Sequence, residues 1–150
     1  MADAFKEPKA ICESIAREFT SVGSLNTATA FSAVVACEAT VSALVRETTG
    51  AEFPYQNYPR HKPGQWITSL GITTYYSSDT QRFLNKIDGY SLDKARYENQ
   101  PAYLQYTSPT AQDRSRVLVE GVPRLISETE SLMNMPEVIS RLQAISKTWK

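Results

Sequence analysis

Residues 27–50 read TATAFSAVVACEATVSALVRETTG. Phe31, Val34 or Val35, Val41 and Val45 recur there at helical spacing, with Cys37 and Leu44 widening the stripe. The pattern predicts an amphipathic helix from about residue 25 to residue 48, stopped by Gly50. One acidic residue, Glu38, falls on that stripe. A carboxylate among apolar neighbours is costly unless paired, so Glu38 requires a partner from elsewhere in the chain. An Arg or Tyr from another helix or from the segment 91–108 satisfies it with no functional role.

Downstream, AEFPYQNYPRHK (51–62) holds two prolines and no regular periodicity, and the only histidine, His61, lies near its end. Pro63 suits the first turn of a short helix carrying Trp66, Ile67 and Leu70 before Gly71. His61 therefore sits at a helix start. It is open to two readings, a structural one as a cap or a carbonyl's partner and a functional one as an acid/base group.

Working outward, a first helix runs from about Pro8 to Thr20, with Ile11, Ile15, Phe19 and Val22 on one side, and ends at Gly23. After Gly71, Ser78 with Gln81 fits a capping box for a helix burying Phe83, Leu84 and Ile87, closed by Gly89. Residues 91–108 lack sustained periodicity and read as an ordered loop of unusual length. Ser108 as N-cap and Pro109 then open a long helix with Leu118, Val122, Leu125 and Leu132 on one face, which Pro123 should bend. A last helix begins at Pro136 and uses Val138, Ile139, Leu142, Ile145 and Trp149. The expectation is all-α, an antiparallel four- to five-helix bundle with short additional helices. It forms one domain over 1–150, with a core at about 8–133 and a C-terminal helix at 136–149.

A chain of 150 residues is long enough to bury roughly 68–70% of its unfolded surface. Sixteen basic residues balance sixteen acidic ones, so an anion site must be local rather than a property of overall charge. The charged N-terminus lacks the apolar run of a secretory signal. The run AFSAVVACEATVSALV, interrupted by Glu38 and hydroxyls, reads as too short and polar to span a bilayer. Cys12 and Cys37 read as core thiols, and two cysteines with one histidine do not make a closed zinc site. The expectation is a cytoplasmic protein with no metal, no cofactor and no membrane partner.

A single histidine excludes paired Glu-x-x-His ligands for a di-metal centre, and neither a Gly-rich phosphate loop nor G-x-S-x-G occurs. What remains is Arg60-His61-Lys62 beside carboxylates and tyrosines. An imidazole serves as acid or base near neutrality, and a guanidinium meets two phosphate oxygens at once. All eight tyrosines lie between Tyr55 and Tyr106, where they can stack on bases or pack the loops onto the bundle.

The segments ACEATVSALVRETTG, FPYQNYPRHKPGQWITSL and ARYENQPAYLQYTSPTAQDRSRVLVEGVPRLISETESL together resemble the HEPN domain, in the same order and over most of the chain. Glu38 matches the acidic residue of that family's second helix and His61 the histidine near the next. Arg96, Tyr97, Glu98, Asn99 and Gln100 match its R-Y-P-D-A-like loop, with proline one position late at Pro101. The resemblance implies an antiparallel helical bundle, usually a homodimer, that binds RNA or a nucleotide. It also implies a toxin or defence component paired with a small nucleotidyltransferase. Catalytic members place an arginine four to six residues before the histidine; here Gln56, Tyr55 and Pro54 stand there and Arg60 is adjacent, so the motif for metal-independent RNA cleavage is incomplete.

On this reading the catalytic candidates are His61, Arg60 and Glu38, and the RNA- or nucleotide-contacting ones are Lys62, Arg96 and Tyr97. With one histidine per chain, a two-histidine mechanism needs a symmetric dimer. The alternative is a non-enzymatic helical module whose groove binds a protein partner such as a small nucleotidyltransferase.

Overall fold

The stretch 27–50 forms the central helix of the molecule. The computed structural model describes residues 3–89 and 109–149. Its α-helices are α1 (Lys6–Val22), α2 (Thr27–Thr49), α3 (Pro63–Ser69), α4 (Ser78–Asp88), α5 (Pro109–Leu132) and α6 (Pro136–Ser146), with no strand among the described residues. The fold is an all-α helical bundle.

Asn26 caps α2 by accepting from the Thr29 N–H, and Gly50 ends it in the left-handed conformation at φ 73°. Between these caps most of the helix surface is buried, except the side that carries Val35 and Glu38. Ala30, Ala33, Val34, Ala36, Cys37, Val41, Ala43, Leu44 and Val45 are all core residues, a wide apolar face as expected of a helix packed on several sides. It packs against α1, α3, α5 and α6. At 23 residues α2 is long and apolar enough to cross a membrane by length and composition. The run 30–45, expected to be too short and polar to do so, is only part of this longer helix. More than half of that stretch is nevertheless buried by its neighbours within the bundle.

Long-range bonds fix the helix directions. Lys9, early in α1, pairs with Glu130, late in α5, at 2.8 Å. At the other end the Leu25 N–H donates to Ser115 Oγ at 2.8 Å, so α1 and α5 are antiparallel. Ser77 and Thr80 likewise bond to Glu128 while Phe83 meets Gly121, which makes α4 antiparallel to α5.

Two expectations change in detail. Val22, the last residue of α1 before Gly23, is 50% exposed rather than on the buried side. The N-cap of α4 is Ser77 rather than Ser78, and Glu128 from α5, not Gln81, accepts the Ser77 N–H at 2.7 Å. As the periodicity predicts, α5 runs through Pro123, which lies on its exposed side, to Leu132. Ser108 and the segment 91–108 lie outside the described residues.

Phe53 anchors the 51–62 segment. Its ring packs on Tyr58, Trp66 and Trp149 at centroid distances of 4.7, 4.9 and 5.9 Å. The same segment contains one 3-10 turn, Tyr55–Asn57.

Candidate functional site

Glu38 faces away from the deepest core. Phe31, Val35, Glu38, Ala39 and Ser42 share the side of α2 that borders a cleft of about 480 Å³, and Tyr55, Arg60, His61 and Trp66 form the opposite wall. That volume lies in the ordinary range for small-molecule sites.

Glu38 finds its partner in His61. Its Oε1 lies 3.0 Å from the imidazole Nδ1, and its Oε2 accepts the His61 backbone N–H at 3.2 Å. One carboxylate thus holds both the main chain and the ring of one residue. The grip requires an unusual backbone: His61 has φ 59°, the only non-glycine residue at positive φ among those described. Such geometry costs about 1–3 kcal/mol and persists only where surrounding contacts determine it. Phe31 adds an edge-to-face contact on the ring at 4.8 Å.

The chemistry follows from the donors. A carboxylate only accepts, so the neutral imidazole carries its proton on Nδ1 and presents a lone pair at Nε2. Nε2 has no hydrogen-bond partner among the described residues. Arg60, exposed on the same wall, also has no hydrogen-bond or ion-pair partner among them. A base and a guanidinium therefore open onto one cleft.

Neighbouring bonds hold this turn from both sides. Trp66 Nε1–H donates to the Pro59 carbonyl at 2.7 Å. Lys62 occupies the N-cap position of α3 without capping it, and its Nζ donates to the Asp88 carbonyl. The Asp88 carboxylate accepts from the N–H groups of Gly64 at 3.0 Å and Gln65 at 2.9 Å. Burial pushes the Asp88 carboxyl above its ordinary range, although those two N–H groups and Lys62 pull the other way.

Of the residues singled out from sequence, Glu38, Arg60 and His61 come together at the cleft, while Lys62 turns to α4. Arg96 and Tyr97 lie outside the described residues. His61 does not cap α3 and bonds no carbonyl among the described residues; Glu38 takes it. Tyr55, at one of the positions where an arginine was sought, lines the cleft and is 64% exposed. By contrast Tyr58 and Tyr76 pack inward. Sequence reasoning placed Phe31 and either Val34 or Val35 on the core stripe; Val34 is a core residue, whereas Phe31 and Val35, seven and three residues before Glu38, share its helix face and mark the cleft wall instead. Asp88 was missed, and nothing in its local sequence pointed to α3.

Comparison with family models, with curated proteins and with solved structures found no match for this chain.

Proposed function

We propose that this chain is a HEPN-like protein that binds RNA or a nucleotide through the Glu38–His61 cleft, with metal-independent RNA cleavage as at most a weak accompanying activity. One observation carries the reading: Glu38 holds the imidazole at Nδ1, while His61 and Arg60, whose guanidinium has no partner among the described residues, line the same cleft. Arg60 supplies the bidentate phosphate contact. Tyr55 and Phe31 provide ring surfaces beside it for a base. The displaced arginine of the R-x4-6-H pattern does not remove a guanidinium from this site, because Arg60 borders it from the adjacent position.

In cleavage, Nε2 would take the proton of a ribose 2′-hydroxyl as that oxygen attacks the neighbouring phosphorus, and Arg60 would offset the charge building on the phosphate oxygens. The departing 5′-oxygen needs a proton from a second group. One imidazole per chain supplies only one of these two roles at a time, which is why weak cleavage is the expected level.

The test is binding of single-stranded RNA across a salt series, followed by incubation of labelled RNA in EDTA. Affinity should fall steeply with salt, and Arg60→Ala should flatten the log–log slope by about 0.7, the loss of one phosphate contact. A response to salt that is flat, and unchanged by Arg60→Ala, removes the phosphate reading. Equal survival of RNA with wild type and His61→Ala identifies a binding protein without cleavage.

A further inference from the structure

We infer that Asp88, on α4, is a positioning residue for the cleft: it caps α3 across a gap in sequence and thereby fixes the Arg60–His61 turn. The inference rests on the reading of that turn as a phosphate site. Its geometry is independent of that reading.

The first N–H groups of any helix lack acceptors within the helix. In α3 the residue that should supply one is Lys62, whose side chain has no acceptor and leaves towards α4. Asp88 takes over, one carboxylate oxygen meeting Gly64 N–H and the other Gln65 N–H. The fit is close enough to dictate residue 64. A Cβ built on Gly64 would fall 2.5 Å from Asp88 Oδ2, so a side chain there and the carboxylate cannot occupy the same place.

Residues 62, 64 and 65 are therefore tied to one residue of α4, residue 61 is tied to Glu38 of α2, and the Pro59 carbonyl is tied to Trp66. Arg60 and His61 are strung between these anchors. The positive φ of His61 is kept because the chain on its C-terminal side cannot rotate while Asp88 holds the first turn of α3. A serine or aspartate at position 62 would cap the helix locally; capping from α4 instead couples the aim of the imidazole to the packing of another helix.

The chain has one histidine, so its imidazole nitrogens give a single set of ¹⁵N signals and report the aim of the ring directly. The wild type should show protonated Nδ1 and unprotonated Nε2. Asp88→Asn places an NH2 against one of the two N–H donors, and Gly64→Ala displaces the carboxylate from the other side. Both should lose the single-tautomer pattern while keeping the helical circular dichroism of the wild type, and both should lower affinity for a 12-residue oligouridylate towards that of Arg60→Ala. Tyr76→Phe, which removes a buried hydrogen bond to Thr129 far from the turn, should lower Tm and leave the imidazole signals in place.

A wild-type imidazole pattern in folded Asp88→Asn overturns the inference. Gly64→Ala, which gains helix propensity, decides the matter in the same way if Asp88→Asn does not fold. Failure of the wild type to bind RNA overturns the functional reading alone, because the imidazole signals still report whether Asp88 aims the ring.

Discussion

Replacing Glu38 by Gln separates the stability of the cleft from its chemistry. In the wild type the carboxylate receives the His61 backbone N–H at 3.2 Å and the ring Nδ1 at 3.0 Å, with the two side chains only 15% and 25% exposed. Glutamine has one acceptor oxygen and one NH2. The backbone N–H has no other role than donor, so it keeps the oxygen; the NH2 then faces Nδ1, and the imidazole proton moves to Nε2.

Exchanging charge-assisted bonds for neutral ones costs about 1 kcal/mol each, so the loss is about 1–2 kcal/mol once partial exposure is counted. For a chain of this size that is a fall in Tm of about 2–8 °C. The chemical effect is larger. An Nε2–H donates but does not accept, so RNA affinity should stay within a few-fold of wild type while any His61-dependent cleavage falls by about 10²–10⁴, to the level of His61→Ala. Imidazole ¹⁵N spectra read the tautomer and differential scanning calorimetry the stability. Nδ1 still protonated in the variant, or an unchanged Tm, refutes the account of how Glu38 holds this ring.

Gly121 lies inside α5 where a Cβ would come within 2.0 Å of Phe83 Cδ1, so Gly121→Ala must push α4 from α5 by about 1.4 Å to reach the 3.4 Å of ordinary contact. An overpacking cost at the upper end of about 3 kcal/mol, less about 1 kcal/mol of helix propensity, gives a net loss near 2 kcal/mol by urea unfolding. In a Phe83→Leu background the same change should cost much less, and equal cost in both backgrounds would show that the ring is not the obstacle. Acid should destabilise the α4–α5 junction. Burial raises the Glu128 carboxyl, but the Ser77 N–H and the hydroxyls of Thr80 and Ser77 outweigh it and hold the group below 4.5. Its contribution is therefore present above about pH 4.5 and lost as pH falls through the lowered value. The Tm gap between wild type and Glu128→Gln should close over that interval, and a gap independent of pH would contradict it.

Helix ends were largely legible because their signals are local. Gly23 and Gly50 stop α1 and α2 in the left-handed conformation that glycine adopts without a steric cost, and Pro63 and Pro136 open α3 and α6. The start of α4 was legible only to within one residue. Ser77 and Ser78 look alike in sequence, and the choice went to the one within reach of Glu128, 51 residues away.

The candidate site divides in the same manner. From sequence alone, Glu38 had to be paired and the Arg60–His61 turn had to lie at a helix start, since burial cost and proline geometry act within a few residues. That these two features were each other's answer depended on the tertiary structure. Helical periodicity puts Glu38 on a face without saying what covers that face, and only the packing of α3 beside α2 brings the imidazole to the carboxylate. Asp88 was beyond the reach of sequence for the same reason. Its acceptors serve N–H groups 23 and 24 residues earlier, and a hydrogen bond closed across two helices leaves no periodic trace in the chain.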